Sequence, residues 1–205
     1  MSYNKLYFYH GPMGSAKTLK LLTTAYNFEE NGIPFMVLKP SLDTRDGEGI
    51  ISSRVGLQRE CAMVSPTDDI FAAVSAYNNM MVSTLTKLEW ILVDECQFLS
   101  EEQVNQLARI VDELNINVMC FGLRADFESK VFPGSKRLFE IADTIEEVKS
   151  RCSCGRKAIV NARFNEKKEI VTQGEQIVVG GNDIYKPLCR KCWNQLISEK
   201  KNNLN

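Results

Sequence analysis

Gly11-Pro12-Met13-Gly14-Ser15-Ala16-Lys17-Thr18 is the stretch that decides the fold of this 205-residue chain. The apolar run at residues 6–9 before it has β-strand chemistry, and residues 19–26 after it have the apolar spacing of a helix. A strand, a glycine-bearing turn and a Lys-Thr pair that opens a helix are the context of a phosphate-binding P-loop. The pattern predicts that Lys17 reaches the outer phosphates of a nucleotide and that the Thr18 hydroxyl binds Mg²⁺. The alternative is an ordinary strand-turn-helix unit.

Ala16 departs from the P-loop pattern, which has glycine at this position. Alanine fits if the backbone there has a helical φ, and the loop then forms as usual. If the loop requires a positive φ or a very close approach of the phosphate, we expect weaker nucleotide binding. The sequence leaves both possibilities open.

The composition and charge of the chain indicate an ordinary globular protein. Hydrophobic residues make up 44% and charged residues 25% of the sequence, and the net charge is −1. This balance gives no electrostatic footprint for nucleic acid or an anionic membrane, and no apolar run approaches the roughly 20 residues of a membrane helix. The first residues lack a signal-peptide layout, so we expect a cytoplasmic protein without nucleic-acid or membrane partners.

Two carboxylates end a second apolar run, Trp90-Ile91-Leu92-Val93. The four apolar residues predict a strand buried within a sheet, and Asp94 and Glu95 follow it directly. Open α/β sheets bind ligands at the carboxyl ends of their strands, so Asp94 is a candidate Walker-B carboxylate that supports Mg²⁺. The alternative is a solvated strand end.

Strand and helix patterns alternate through the first 150 residues. Further strands are predicted at 34–39, 62–64, 117–122 and 144–149, and helices at 68–77, 100–114 and 136–142. The alternation predicts an α/β fold in which helices flank a parallel, doubly wound sheet. We expect a P-loop nucleotide-binding domain at 1–150, a small second domain at 151–200 and a polar tail at 201–205. The long polar loop at 40–49 is a candidate functional loop.

Two cysteine pairs, Cys152-Ser153-Cys154 and Cys189-Arg190-Lys191-Cys192, frame the second domain. Two thiolate pairs suit one tetrahedral Zn²⁺ whose four positions are all filled by protein, which is typical of a structural site. Such an ion would stabilise a domain too small to fold well without it. Disulfides or free thiols are the alternative, although a cytosolic chain favours metal. The remaining cysteines, including Cys96, have apolar neighbours and are predicted to be small buried residues.

Taken together, these motifs resemble the thymidine kinase family found in bacteria, animals and some large DNA viruses. The resemblance covers almost the whole chain and is far more specific than the P-loop alone. It rests on Gly11-Pro12-Met13-x-Ser15-x-Lys17-Thr18, Asp43-Thr44-Arg45, Asp94-Glu95-x-Gln97-Phe98, Gly122-Leu123-Arg124-x-Asp126-Phe127, Val179-Gly180-Gly181-x-Asp183-x-Tyr185 and both cysteine pairs.

The resemblance implies transfer of a phosphoryl group from ATP to the 5′-hydroxyl of thymidine, and deoxyuridine is a further candidate acceptor. It also implies a RecA-like P-loop domain, and a zinc-ribbon-like second domain with a lasso loop over the nucleoside. The family commonly forms homotetramers and is inhibited by thymidine triphosphate, so both properties are expected here.

The resemblance also assigns roles to individual residues. Glu95 matches the family's catalytic base, and a carboxylate can accept the proton of a weakly nucleophilic sugar hydroxyl. The nucleotide site would comprise Gly11, Pro12, Met13, Gly14, Ser15, Ala16, Lys17, Thr18, Asp94, Glu95, Cys96 and Gln97. The thymidine site would comprise Met13, Asp43, Arg45, Phe98, Leu123, Phe127, Val178, Gly180 and Tyr185, and the zinc ligands would be Cys152, Cys154, Cys189 and Cys192.

Two other functions compete with this interpretation. One is a P-loop ATPase whose zinc ribbon binds nucleic acid, although the near-neutral charge and the lack of a basic patch argue against it. The other is a regulatory homologue whose P-loop is weakened by Ala16. Arg54 stands where many bacterial members have histidine, and it is either a phosphate contact or a solvated surface residue.

Overall fold

A computed structural model describes residues 3–45, 47–82, 87–177 and 184–202. Its centre is a sheet of six parallel strands in the order β5-β2-β6-β7-β1-β8. The strands are β1 (Leu6–His10), β2 (Phe35–Pro40), β5 (Ala62–Val64), β6 (Trp90–Val93), β7 (Asn117–Gly122) and β8 (Thr144–Glu147). The predicted α/β class and its parallel sheet are therefore confirmed.

Helices cover both faces of this sheet. They are α1 (Lys17–Glu30), α2 (Ile70–Val82), α3 (Glu101–Leu114) and α4 (Pro133–Ile141), and a 3₁₀ helix (Cys96–Phe98) follows β6. Ser100 caps α3, because its hydroxyl accepts the Gln103 N–H at 3.1 Å. The start predicted for α2 was wrong by two residues. Asp69 accepts the Ala72 N–H at 2.9 Å, so it is the N-cap residue that precedes the helix rather than part of it.

The core divides into two apolar clusters because successive strand residues point to opposite sides of the sheet. In β6, Ile91 and Val93 pack beneath α2, α3 and α4, whereas Leu92 packs with residues of α1. All three side chains are fully buried. Burial on both faces explains why the strand sequence is continuously apolar rather than alternating.

A short antiparallel hairpin, β3 (Ile50–Ser52) and β4 (Gln58–Glu60), lies in the connection between β2 and β5. The sequence did not predict it, since Gln58-Arg59-Glu60 has no apolar residue and reads as loop. Ile51 is fully buried, so one side chain fastens the hairpin to the α1 side of the sheet.

The described residues of the C-terminal segment, 150–177 and 184–202, form small antiparallel sheets and one helix. Its elements are β10 (Lys157–Ala158), which pairs with β9 (Ser150–Arg151), then β11 (Val160–Phe164), β12 (Ile170–Val171), β13 (Tyr185–Leu188) and α5 (Arg190–Asn202). Lys201 and Asn202, which we assigned to a polar tail, are instead the last residues of α5. The division at residue 150 into two domains stays a prediction. In the described parts of the chain, no helix has the length and apolarity to span a membrane.

Candidate active site

The Gly11–Thr18 stretch forms a tight loop between β1 and α1. The Gly11 N–H donates to the Gly122 carbonyl at 3.2 Å, and the Ser15 N–H donates to the Pro12 carbonyl at 3.3 Å. A Cβ atom on Gly11 would lie 2.2 Å from the Val148 carbonyl oxygen, so only glycine fits there. The loop therefore lies at the carboxyl end of β1, where a parallel sheet places its ligands.

Ala16 immediately precedes α1 and has a left-handed backbone, with φ 63° and ψ 29°. This decides the question that the sequence left open, because the position does require a positive φ. An alanine there costs about 1 kcal/mol or slightly more relative to its preferred conformations. The loop nonetheless has the predicted strand-turn-helix form, so this local strain is offset by the surrounding structure.

Lys17 is buried, and its ammonium group lies inside the loop. Nζ donates to the carbonyls of Gly11 at 3.2 Å and Pro12 at 3.0 Å, and lies 3.4 Å from Ser15 Oγ. Burial lowers the pKa of Lys17, while the carboxylates of Glu95 and Asp94 act in the opposite direction. A buried cation surrounded by dipoles and acids is suited to exchange these contacts for phosphate oxygens.

Asp94 follows β6 and faces the first turn of α1. The Thr18 hydroxyl donates to Asp94 Oδ2 at 3.1 Å, so the two predicted magnesium-supporting groups are in contact. Burial, followed by the charge of Glu95, raises the pKa of Asp94 to about 7. Hydroxyl and carboxylate oxygens form the donor set that Mg²⁺ takes in P-loop proteins, and a dication here would favour the charged carboxylate.

Glu95 lies at a sharp bend, with φ 48°, between β6 and the 3₁₀ helix. Its two carboxylate oxygens are held separately: Oε1 lies 2.6 Å from Arg45 Nη2, and Oε2 accepts from Gln97 Nε2 at 2.5 Å. Gln97 is buried, and its Oε1 accepts the Leu123 N–H at 2.9 Å. The carboxylate is therefore fixed in direction from two sides.

A chain of alternating charges extends from Glu95 into the interior. Arg45 Nε and Nη2 bind the two carboxylate oxygens of Asp43 at 2.6 and 2.9 Å, and Lys39 Nζ lies 3.2 Å from Asp43 Oδ2. Burial acts to raise the pKa of Asp43, but the opposite effect of Arg45 and Lys39 is larger, so the pKa lies below its usual value. Lys39 is fully buried at the end of β2, and its only sequence signal was a charge within an apolar strand.

Two cavities meet at Glu95. The first is lined by Met13, Asp43, Arg45, Glu95, Gln97, Phe98, Leu123, Asp126, Phe127, Phe132, Asn161, Gln176, Ile177 and Tyr185. The second is lined by Met13, Gly14, Ala16, Lys17, Thr18, Leu19, Arg45, Ser52, Ser53, Arg54, Val55, Glu95 and Leu123. Met13, Arg45, Glu95 and Leu123 belong to both walls. One ligand in each cavity would therefore meet beside the Glu95 carboxylate.

The structure brings together most of the residues that the sequence proposed for the thymidine site. All of those that it describes, Met13, Asp43, Arg45, Phe98, Leu123, Phe127 and Tyr185, line the first cavity, while Val178 and Gly180 lie outside the described residues. Met13, Phe127 and Tyr185 form one apolar cluster in its wall. Cys96 lines neither of these two cavities. It is fully buried, and its sulfur would lie 2.6 Å from a Cβ on Gly122.

Several lining residues were not proposed from the sequence. They are Asp126 and Phe132 near α4, Asn161 in β11, and Gln176 and Ile177. Gln176 Nε2 donates to Asp126 Oδ2 at 2.8 Å, so two lining residues that are 50 positions apart in sequence are bonded to each other. The one sequence signal for Asn161 was its polar side chain within the strand-like run at 158–164. Arg54 lies at the second cavity, against Gly14 of the loop.

The four paired cysteines come together in the C-terminal segment. The sulfurs of Cys152, Cys154, Cys189 and Cys192 all lie within 4.8 Å of one another, and all four are thiols rather than disulfides. Cys154 Sγ and Cys189 Sγ are 3.6 Å apart. A tetrahedral zinc site with Zn–S bonds near 2.3 Å requires sulfur separations of about 3.8 Å, so this donor set fits one zinc ion.

Hydrogen bonds lower the pKa of Cys152 and Cys189, whereas hydrogen bonds with the neighbouring thiols raise the pKa of Cys192 to about 12. Burial acts to raise the pKa of Cys152. The N–H groups of Cys154 and Cys189 and the neighbouring thiols have a larger opposite effect, and the pKa falls to about 6. The Cys192 N–H donates to Cys189 Sγ at 3.5 Å. The cluster can hold a cation with no open coordination position, which is the arrangement of a structural metal site.

The fold and these two cavities define a P-loop nucleotide-dependent phosphotransferase with an accessory four-cysteine segment. The sequence profile of the thymidine kinase family matches residues 4–193. The chain is 44% identical to a thymidine kinase of Streptococcus pyogenes over 188 residues, which is 91% of this chain and 95% of the relative. It is 44% identical to one of Mesorhizobium japonicum, with 93% and 91% covered, and 39% identical to one of Shewanella oneidensis, with 94% and 98% covered. The chain belongs to the thymidine kinase family.

Proposed function

We propose that this protein transfers the γ-phosphoryl group of ATP to the 5′-hydroxyl of thymidine, giving thymidine monophosphate and ADP. The observation that carries this proposal is the position of Glu95 where the two cavities join. A carboxylate between a phosphoryl donor and a hydroxyl acceptor is placed to take the proton of the attacking hydroxyl. The P-loop cavity takes the triphosphate, and the cavity around Phe127 takes the nucleoside.

The P-loop residues act on the phosphates. Lys17 releases its loop carbonyls and binds phosphate oxygens, and the helix dipole of α1 adds positive potential at the same point. Thr18, and Asp94 through water, would hold Mg²⁺, which neutralises phosphate charge when it is bound. Arg54 lies at the wall of this cavity and serves as a further phosphate contact.

Glu95 acts as the general base. Its carboxylate accepts the proton of the 5′-hydroxyl as the oxygen attacks phosphorus, and Arg45 and Gln97 fix its direction. Arg45 can also stabilise the negative charge that develops on the transferred group, since its guanidinium borders both cavities. The Asp43 carboxylate holds Arg45 by two hydrogen bonds and so limits its movement.

The apolar cluster of Met13, Phe127 and Tyr185 receives the base, and Phe98 adds an aromatic wall. Val178 and Gly180 are proposed to contact the base edge through their backbones. The same two cavities would accommodate thymidine triphosphate, because its nucleoside and its phosphates match one cavity each. Feedback inhibition by this nucleotide, use of deoxyuridine, a homotetramer and a cytoplasmic location all stay proposals. Zinc at the four cysteines is proposed to be structural.

The direct test is product analysis. Purified protein is incubated with ATP, Mg²⁺ and each of the four natural deoxynucleosides, and with deoxyuridine, and monophosphates are separated by chromatography. Thymidine monophosphate should form with stoichiometric ADP. ADP without any nucleoside monophosphate, and with stimulation by single-stranded DNA, would instead indicate the competing ATPase. Failure to bind ATP would indicate a regulatory homologue.

A further inference from the structure

Strand β11 has two differently occupied faces. Ala162 packs in the small core that contains Cys152 and Cys189. Residues 161 and 163 point to the other side of the strand because side chains alternate. On that side, the Arg163 guanidinium lies 3.6 Å over the Phe127 ring, at the nucleoside cavity. One strand therefore contacts both the cysteine core and the candidate active site.

Asn161 is the residue of β11 that reaches the P-loop. It is 4% exposed, and its Oδ1 accepts the Met13 N–H at 2.7 Å. Its Nδ2 donates to the Ala125 carbonyl at 2.9 Å, in the loop after β7. Both ends of the side-chain amide thus bind the backbone of the sheet-bearing part of the chain.

These bonds fix the first turn of the P-loop. The Gly11 N–H is held by β7, the Met13 N–H is held by Asn161, and Pro12 between them has no N–H to offer. The Pro12 carbonyl accepts from Lys17 Nζ at 3.0 Å, so the anchored turn also positions the phosphate-binding lysine. Without Asn161, a buried N–H would lose its partner, and the loop would shift to recover a hydrogen bond.

We infer that Asn161 is a positioning residue, through which the cysteine-bound segment holds the P-loop in the shape that binds ATP phosphates. This inference rests on the proposed ATP site but does not depend on thymidine as the acceptor. It predicts that a change in the C-terminal segment alters nucleotide binding more than 100 residues away in sequence.

The test uses Asn161→Leu, which keeps the number and branching of the side-chain heavy atoms, although leucine is larger, and removes both hydrogen bonds. Calorimetry with ATP and Mg²⁺, without nucleoside, should show a Kd about tenfold higher than for the wild type. Hydrogen exchange should show a faster Met13 amide, whether or not ATP is present. The matched control is Asn165→Leu. Asn165 is exposed near the end of the same strand, and its Oδ1 accepts the Glu169 N–H at 2.9 Å within the turn. This control should bind ATP as the wild type does.

Zinc content and melting temperature are measured for both variants. Removal of zinc by a chelator should weaken ATP binding by the wild type but add little to the defect of Asn161→Leu, since the link is already broken. Unchanged ATP affinity and Met13 exchange in Asn161→Leu would overturn the inference, as would equal defects in the two variants. A wild type that binds ATP and phosphorylates no nucleoside would refute the proposed function and leave this inference standing.

Discussion

The sheet that carries the P-loop and the segment that carries the four cysteines reach the same cavity with very different support. The sheet has apolar clusters on both faces and parallel strands on either side of β1. Among the described residues of the cysteine-bearing segment, the apolar cluster around the cysteines has six buried members, and two of them are Cys152 and Cys189 themselves. The packing of the sheet is therefore independent of the cysteine cluster, whereas the segment that lines the other side of the nucleoside cavity would depend on a bound metal for its core.

The largest effect should come from removing a metal ligand in the cysteine-bearing segment, which has the smaller apolar core. Cys189→Ser removes one of four zinc ligands, and a complete structural zinc site contributes on the order of 10 kcal/mol. We expect loss of bound zinc, loss of hydrogen-exchange protection in β11 and β13, and activity below one hundredth of the wild type. Protection in β1 and β7 should persist, because their apolar contacts are intact. Zinc is measured by atomic absorption and protection by mass spectrometry.

Cys61→Ser is the control for that experiment. Cys61 lies outside the cysteine cluster and is partly buried against the α1 side of the sheet. This variant should keep zinc and activity. If Cys189→Ser kept its zinc and its protection pattern, or lost protection in the sheet to the same extent, the contrast between the two regions would be wrong.

The second effect concerns the chemistry at the sheet. Glu95→Gln keeps the shape of the side chain but removes the proton acceptor, so kcat should fall by about 10³-fold. The melting temperature and the Kd of ATP should stay close to those of the wild type, since Glu95 is not part of the apolar core. Steady-state kinetics and calorimetry check these values.

Glu113→Gln provides a matched exposed substitution, because the Glu113 carboxylate accepts from Arg109 on the surface of α3, far from the two cavities. It should leave kcat unchanged. Near-normal turnover in Glu95→Gln would show that another group accepts the proton, and the assignment of the base would be abandoned.

The two regions also differ in how far the sequence predicted them. β1, β6 and β7 were identified because strands buried on both faces need continuous apolar runs. Lys17, Thr18 and Glu95 were placed because their motif fixes them relative to those strands. Asn161 and Lys39 were not identified, since their importance comes from partners that only the folded chain brings close. The β3–β4 hairpin was missed because one buried residue, Ile51, gives no periodic pattern.

The third prediction concerns Lys39, which lies beneath the active site in the sheet. Lys39→Met retains the apolar stem and removes the buried ammonium group that lies 3.2 Å from Asp43. Asp43 keeps Arg45 as its partner, so we expect the free energy of unfolding to fall by about 2 kcal/mol rather than more. Urea denaturation should show a lower midpoint with an unchanged slope.

Lys136→Met is the surface comparison. Lys136 lies 4.0 Å from Glu140 on α4, and both side chains are well exposed. The free energy of unfolding should change by less than about 0.5 kcal/mol. Equal effects of the two substitutions would mean that the buried ion pairs under Glu95 contribute no more than a surface pair.

The smallest effect should come from Ala16→Gly, at the residue of the P-loop whose left-handed backbone is strained. Glycine removes the cost of φ 63° but increases the entropy of the unfolded chain, so the net gain in stability should be below about 1 kcal/mol. Ala72→Gly in the exposed part of α2 should instead lose about 1 kcal/mol, because its backbone is helical. If urea denaturation shows that the free energy of unfolding rises in Ala16→Gly and falls in Ala72→Gly, the cost at Ala16 is conformational. A loss of stability in both variants would mean that the left-handed turn is not what this alanine adopts in solution. In that case the P-loop would differ from the loop that holds Lys17 here.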